Sequence, residues 1–153
     1  MAKFFKNNSK INFISILFLT AYLCIGFIPN WQAVDKIAPQ WLVMSILNLL
    51  SSLYIIINLK YFSLSLNISL RTLVSFIYIS FILWASSSYF YSINPTEVFV
   101  NVARQINVFL MFLHMCVFYN KVKSKSTFMT FVLTLILSIE VYSVINQAMQ
   151  MIE

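Results

Sequence analysis

The stretch WASSSYFYSINPTEVFVNVARQIN, from Trp84 to Asn107, ends one membrane-length apolar run and begins another. Four polar side chains enter the second run, namely Glu97, Asn101, Arg104 and Gln105. An arginine within a membrane helix is costly, so such a residue is by default a candidate functional site whose partner is still to be found. This segment therefore carries most of the information on both the fold and the function.

The composition of the whole chain indicates a membrane protein. Of the 153 residues, 61% are hydrophobic and only 9% are charged, and the mean hydropathy is +0.86. A soluble domain is about half apolar, and one of this length could not hide so much apolar surface. We therefore predict an all-α helical bundle in a membrane. The net charge of +6 would suggest nucleic acid as a partner of a soluble protein, but here the basic residues lie between apolar runs, so no nucleic acid is expected.

Five segments are long enough to cross about 30 Å of hydrocarbon, which takes roughly 20 residues. The predicted helices cover approximately residues 12–28, 41–59, 71–91, 98–119 and 128–146, and they form a single membrane domain over residues 1–153. The first segment follows three lysines, as the core of a signal peptide would. No small-x-small cleavage site follows it, so we predict an uncleaved first helix.

The basic residues predict the orientation of these helices. One side holds eight of them: Lys3, Lys6, Lys10, Lys60, Arg71, Lys121, Lys123 and Lys125. The other side holds Lys36 alone, next to Asp35 in the first outer loop, which runs from Pro29 to Gln40. Because cytoplasmic loops carry the excess of lysine and arginine, the N-terminus is predicted to be cytoplasmic and the C-terminus, after five spans, to lie outside.

The reactive side chains of the sequence form no recognisable active site. Cys24 lies near the outer end of the first helix and Cys116 near the inner end of the fourth, too far apart for a disulfide, which needs Cα atoms within about 7 Å. His114 is alone in the inner half of the fourth helix, and we expect it to bond to a neighbouring backbone group or hydroxyl. The sequence contains no Cys/His spacing typical of a zinc site, no glycine-rich phosphate loop and no Ser/His/Asp arrangement. We predict no catalytic residue, metal or cofactor.

Aromatic residues cluster at the predicted outer ends of the helices. They are Trp31, Trp41, Trp84, Tyr89 and Tyr91. Such residues are typical membrane anchors in the interfacial aromatic belt. Stacking against sugar rings is the alternative interpretation.

The turn before the fourth helix has the pattern of a helix start. Asn94 is the predicted N-cap, Pro95 the first helical residue, and Glu97 follows the cap by three positions, as in a capping box. The third and fourth helices then form a tight hairpin whose turn faces outward. In one interpretation Glu97 only completes this cap and complements the helix dipole.

Arg104 lies about two turns below that cap, on the same face as Glu97 and Asn101. Helical side chains lean toward the helix N-terminus, so its guanidinium should reach outward. Three interpretations stay open for it. In the first, it forms a structural ion pair with Glu140 of the fifth helix. In the second, it lines a pocket for an anionic headgroup such as a lipid-linked phosphate. In the third, it is a polar residue at a helix–helix contact and has no specific role. A phosphate suits arginine because the planar guanidinium binds phosphate oxygens bidentately.

The run LWASSSYFYSINPTEVFVNVARQINVFLMF resembles an early-helix signature of the bacterial O-antigen ligase and O-antigen polymerase family. In that family a Trp-x-x-x-Ser-x-x-Tyr-Ser-x-Asn-Pro outer turn precedes a helix that carries an arginine. The corresponding residues here are Trp84, Ser88, Tyr91, Ser92, Asn94, Pro95 and Arg104. The preceding stretch DKIAPQWLVMSILNLLSSLYI is similar to the second helix of some members.

The resemblance implies a multi-pass protein of the bacterial inner membrane that acts in cell-envelope polysaccharide or lipopolysaccharide synthesis. Its substrate would be an undecaprenyl-diphosphate-linked glycan at the periplasmic face, with Arg104 holding the diphosphate beside Asn101 and Glu97. Members of the family have many more membrane spans, and a periplasmic loop carries their main catalytic Arg and His residues. His114 does not correspond to that catalytic histidine.

The resemblance therefore covers only the N-terminal part of such a transferase, which we expect to be inactive alone. Its partner would be a missing C-terminal half or another membrane subunit. The alternative is a small non-enzymatic integral membrane protein that packs against a larger transporter or synthase, with Arg104 and Glu140 as an assembly pair.

Overall fold

In a computed structural model of the chain, residues 2–28 and 37–150 are described, apart from the side chains of residues 2–9, 143, 146–148 and 150. Most of the predicted first outer loop, with Trp31, Asp35 and Lys36, lies outside the described residues. Those that are described form six α-helices and no strand. The helices are α1 (Ala2–Cys24), α2 (Ala38–Ile57), α3 (Leu59–Leu70), α4 (Leu73–Ser87), α5 (Pro95–Tyr119) and α6 (Lys125–Gln150).

Five of these helices are long and apolar enough to cross a membrane, which confirms the predicted all-α bundle of membrane helices. The qualifying segments are Lys10–Phe27, Ala38–Ile57, Leu73–Phe90, Pro95–Tyr119 and Lys125–Tyr142. They match the five predicted segments to within a few residues. Which end of the bundle faces the cytoplasm stays a prediction from the basic residues.

The chain contacts define two compact units, Met1–Lys121 and Val122–Glu153. In the first unit α5 is the central helix, since it packs against α1, α2, α3 and α4. The second unit contains α6. Three hydroxyls of α6, those of Thr130, Thr134 and Ser138, each donate to the backbone carbonyl four residues earlier, so their polarity is satisfied within the helix.

The short helix α3 is absent from the sequence prediction, which places an inner loop between the second and third spans. Asn58 ends α2 with φ −108° and ψ 28°, outside the α-helical values, and the chain resumes as a helix at the next residue. The 12 residues of α3 extend about 18 Å, too little to cross a bilayer. Phe62, Ser65 and Ser69 are its buried residues.

An aromatic cluster joins α1, α2, α3 and α5 at the end of the bundle near α3. The ring of Phe118 stacks on that of Phe18 with centroids 5.0 Å apart, and it meets Phe62 edge-on at 5.7 Å. Tyr54 contacts both Phe18 and Phe62 at 5.8 Å. Phe62 and Phe118 are fully buried, so this cluster belongs to the core of the first unit.

The turn between α4 and α5 has the predicted helix start. The Asn94 side-chain oxygen accepts a hydrogen bond of 3.4 Å from the backbone N–H of Glu97, and Pro95 is the first residue of α5. Both predictions are confirmed. A single 3₁₀ turn, Ser88–Phe90, precedes them, and Glu97 lies in the first turn of α5, where a negative charge complements the helix dipole.

Candidate functional site

Arg104 lies beside the indole ring of Trp41. Its guanidinium carbon is 5.6 Å from the centroid of that ring. Trp41 belongs to the first turn of α2, which begins at Ala38, whereas Arg104 is well inside α5. The predicted lean of this side chain toward the start of its own helix stays a prediction. Contacts of this kind contribute about 0.5 to 2 kcal/mol, depending on desolvation, so Trp41 does more than anchor α2 in a membrane.

This pair borders a cleft of about 350 Å³ between α2 and α5, which we call the Arg104 cleft. Trp41 and Ser45 of α2 line one wall, and Val100, Arg104 and Asn107 of α5 line part of the other. Most of the lining is apolar. The cleft thus combines one cation, two small polar groups and apolar walls, which is the chemistry of an amphipathic ligand rather than of a sugar alone.

The other polar residues predicted around Arg104 lie elsewhere. Asn101 and Glu97 are exposed and do not belong to the lining of the Arg104 cleft. Gln105 instead joins α5 to α4, because its side-chain oxygen accepts a hydrogen bond of 2.9 Å from the Tyr78 hydroxyl. A substrate-binding role for Asn101 and Glu97 stays a prediction.

Glu140 is an exposed residue of α6, in the second compact unit. The proposed ion pair between Glu140 and Arg104 would join the two units, and it stays a prediction.

A chain of hydrogen bonds leads from the Arg104 cleft into the bundle. The Asn107 amide nitrogen donates to the Ser45 hydroxyl at 2.8 Å, and that hydroxyl donates to the Trp41 carbonyl at 2.8 Å. Deeper in, the Asn48 amide nitrogen donates both to the Asn107 carbonyl, at 2.8 Å, and to the Asn107 side-chain oxygen. The wall of the cleft is therefore fixed by polar contacts between α2 and α5.

The Tyr22 hydroxyl is the centre of this buried polar network. It lies 2.8 Å from the Asn48 side-chain oxygen, 3.0 Å from the Ser51 hydroxyl and 3.0 Å from Nδ1 of His114. The other ring nitrogen of His114, Nε2, is 3.2 Å from the Ser52 hydroxyl. The expectation that His114 bonds to neighbouring hydroxyls is confirmed, and the network joins α1, α2 and α5.

The directions of the hydrogen bonds in the network depend on which ring nitrogen of His114 carries the proton. Both amide protons of Asn48 are used on Asn107, so the Asn48 oxygen faces Tyr22 and His114 as an acceptor. Nδ1 is 3.3 Å from that oxygen. With the proton on Nδ1, the oxygen accepts from both neighbours and Nε2 accepts from Ser52. With the proton on Nε2, that nitrogen donates to Ser52 and Nδ1 accepts from the Tyr22 hydroxyl at 3.0 Å.

The network also defines how α2 and α5 pack. The bonded pairs Ser45–Asn107 and Ser52–His114 are both separated by 62 residues along the chain. A constant offset means that the two helices run in the same direction, with contacts seven residues apart on each. Interhelical hydrogen bonds of this kind are a common way in which membrane helices associate.

The sequence analysis missed most of these residues, although one signal was present. Asn48 interrupts the apolar run of α2, and Met44, Asn48, Ser51 and Ile55 recur with helical spacing. These four are buried in the structure. Asn48 could therefore have been identified by the same argument as Arg104, since a polar residue in a membrane helix needs a partner. Its partner Tyr22 has no comparable signal.

A second cleft of about 350 Å³ lies on another side of Trp41, between α1, α2 and α5. Tyr22, Gly26, Met44 and Met111 are among the residues that line it. At Gly26 an added methyl group would meet nothing within 4 Å, so the space beside this residue is open. Trp41 thus lines both clefts.

Within the part of the chain that the structure describes, no group of three or more His, Cys, Asp or Glu side chains comes together as a metal site. Cys24 and Cys116 are both free, as predicted. No family model matches this chain, and it is similar to none of the curated proteins or solved structures with which we compared it. The resemblance to O-antigen ligases is therefore limited to the short sequence motifs. The structural feature that bears on function is the Arg104 cleft.

Proposed function

We propose that this chain binds a lipid-linked phosphate or diphosphate in the Arg104 cleft, as the lipid-binding portion of a membrane glycan transferase. The observation that carries the proposal is the position of the Arg104 guanidinium, beside Trp41 at a cleft whose other walls are largely apolar. A guanidinium fork can bind two phosphate oxygens at once. The apolar walls suit the hydrocarbon chain of the same ligand.

Three further considerations support this class of ligand. Helical side chains lean toward the helix N-terminus, and for Arg104 that is the end of α5 that we expect to face outward, where a carrier-linked glycan would be presented. The motif resemblance names an undecaprenyl-diphosphate carrier as the substrate of similar proteins. Finally, the described residues that line the cleft are one cation, neutral polar residues and apolar residues, and the cation favours an anionic ligand.

The role that we propose for this chain is binding rather than bond cleavage. Glycan transfer needs a general base or a comparable group close to the acceptor. Among the described residues that line the cleft are the polar side chains of Ser45 and Asn107, and the Asn107 amide already donates to the Ser45 hydroxyl. Under this proposal the bond-breaking groups come from another segment or subunit.

The test is the affinity of the purified chain, in lipid nanodiscs, for undecaprenyl diphosphate. Hydrogen bonds to charged groups contribute about 1.5 to 3 kcal/mol, and each 1.4 kcal/mol corresponds to a tenfold change in Kd. Arg104→Gln should therefore weaken binding about tenfold or more. Arg104→Lys should give an intermediate Kd, because a lysine keeps the charge but loses the fork.

The matched control is Lys10→Gln, which removes one positive charge from an exposed position of α1 and should leave the affinity unchanged. Thermal unfolding of each variant shows whether the helical bundle is intact. If folded Arg104→Gln binds undecaprenyl diphosphate as tightly as the native chain does, the proposal is wrong.

A second candidate function is a non-enzymatic membrane protein that packs against a larger transporter or synthase. The observation in its favour is the exposure of α4. Only 6% of the segment Leu73–Phe90 is buried, against 28% of Pro95–Tyr119, so α4 has a broad surface on which another membrane helix could pack. This candidate predicts no measurable affinity for undecaprenyl diphosphate in either the native chain or Arg104→Gln.

A further inference from the structure

The short helix α3 carries four exposed residues on the face opposite its buried side. Lys60, Leu64, Ile68 and Arg71 are spaced by four, four and three positions, so they align along one side of a helix. We call them the α3 stripe. Leu64 is 70% exposed and Ile68 is 55% exposed, and both bases are exposed. Arg71 continues the helical geometry, with φ −84° and ψ 0°. The α3 stripe is thus two aliphatic residues with a base at each end, and the exposed amide of Asn67 lies on the same side of the helix.

The position of α3 in the chain places this stripe at one end of the bundle. The helix joins the end of α2 at Ile57 to the start of α4 at Leu73, and both of these helices are candidate spans. A helix too short to cross, placed between two that cross, lies at the membrane surface. An aliphatic stripe flanked by bases is typical of helices that lie in the plane of the interface, where long basic side chains extend to the headgroups.

Packing holds the orientation of α3 fixed. Phe62 is fully buried in the aromatic cluster, and the Lys121 ammonium lies 5.8 Å from the centroid of its ring. At the other end of the helix, the Ser75 hydroxyl donates to the Ser69 carbonyl at 2.7 Å, which ties α3 to α4. Because both contacts lie on the buried side, the α3 stripe faces away from the bundle.

The charge at this end of the bundle is of one sign. The segment from Leu59 to Arg71 contains two bases and no acid. Among the described residues of the first compact unit, the one acid is Glu97, which lies in the first turn of α5, whereas α3 packs near Phe118 at the far end of that helix. Within the described part of this unit, no carboxylate therefore lies beside α3 to repel an anionic lipid.

We propose that α3 lies in the plane of the membrane surface and binds anionic phospholipid headgroups through Lys60 and Arg71, with Leu64 and Ile68 among the acyl chains. The two bases are 11 residues apart, about 16 Å along the helix axis, so each binds a separate headgroup. This surface is independent of the Arg104 cleft, which lies at the opposite ends of α2 and α5.

The depth of α3 is tested by spin labels in vesicles of phosphatidylcholine and phosphatidylglycerol. Single cysteines at Leu64, Ile68 and Ser63 are labelled after Cys24 and Cys116 have been replaced by alanine. Labels at Leu64 and Ile68 should be accessible to oxygen, which concentrates in the bilayer. The label at Ser63, an exposed polar position about 100° around the helix from Leu64, should be accessible to a water-soluble nickel chelate. Equal nickel accessibility at all three positions would overturn the proposal.

The headgroup contacts are tested by the selectivity of the protein for spin-labelled phosphatidylglycerol over phosphatidylcholine. Each base near an anionic surface should raise this selectivity about fivefold. Lys60→Gln and Arg71→Gln should each lower it by that factor, and the double variant by about 25-fold. Lys60→Arg, which keeps the positive charge at the same position, should alter it less than twofold. The proposal fails if Lys60→Arg lowers the selectivity as much as Lys60→Gln, or if the double variant keeps the native selectivity.

Discussion

The buried network makes a sharp prediction at Tyr22, where Tyr22→Phe removes one hydroxyl and keeps the ring. That hydroxyl contacts Asn48, Ser51 and His114, all from other helices, at 2.8, 3.0 and 3.0 Å. Interhelical hydrogen bonds in membrane proteins contribute about 0.6 kcal/mol each on average, with a maximum near 1.7 kcal/mol. Three such contacts give an expected loss of about 2 kcal/mol in the free energy of unfolding.

The loss in the free energy of unfolding should not be much larger, because most of the groups that lose the Tyr22 hydroxyl can still form another hydrogen bond. The Asn48 oxygen keeps His114 at 3.3 Å, and the other nitrogen of His114 keeps Ser52. A serine hydroxyl such as that of Ser51 can turn to a carbonyl of its own helix. An unsatisfied buried group, which would cost more, is therefore avoided.

The assay is unfolding of the purified chain in mixed micelles of increasing SDS content, followed by circular dichroism. Tyr89→Phe is the matched control, because Tyr89 is 50% exposed and its hydroxyl should matter by less than about 0.5 kcal/mol. If Tyr22→Phe destabilises the chain no more than Tyr89→Phe does, the network does not stabilise the bundle. A double-mutant cycle with His114→Gln extends the test, since residues in direct contact should be non-additive by more than about 0.5 kcal/mol.

The remaining predictions concern a cap, a ring contact, the aromatic cluster and the two thiols. Asn94→Ala should lower the free energy of unfolding by about 1 kcal/mol because α5 loses its N-cap, while Asn94→Ser should restore most of it; thermal unfolding in detergent measures both. Trp41→Leu removes the contact with the guanidinium and should weaken binding of undecaprenyl diphosphate between about 2-fold and 30-fold, and unchanged affinity would show that the ring contact plays no part. Phe62→Ala should cost about 3 kcal/mol because a fully buried ring is lost; a cost below about 1 kcal/mol in SDS unfolding would contradict this packing. Cys24 and Cys116 should both react with a thiol reagent after denaturation without reductant, and a missing thiol would show that they pair.

The features that could be predicted from the sequence are those that depend on neighbouring residues or on bilayer thickness. The five spans follow from the length of the apolar runs. The cap at Asn94 follows from a three-residue spacing that needs no distant partner.

The features that could not be predicted depend on how the helices pair. Helix α3 has a serine-rich sequence of modest hydropathy, and its buried face is defined by the contact of Phe62 with Phe118, which lies far along the chain. The contact between Arg104 and Trp41 likewise depends on the parallel register of α2 and α5. That register is fixed by buried pairs such as Ser45 and Asn107, and no local pattern reveals it. The sequence therefore identified Arg104 as a candidate site but did not identify its neighbours.

The place of Trp41 between two clefts gives the protein an optical reporter of its own. Indole emission responds to the polarity and charge around the ring, and this ring is bordered by the Arg104 guanidinium and by both clefts. The chain has three tryptophans, so replacing Trp31 and Trp84 with phenylalanine leaves Trp41 as the single emitter. A phosphate that draws the guanidinium away from the ring would then shift the spectrum, and a hydrocarbon chain in either cleft could be detected by quenching from a brominated lipid. Ligand occupancy at this position can thus be followed by light, without any attached label.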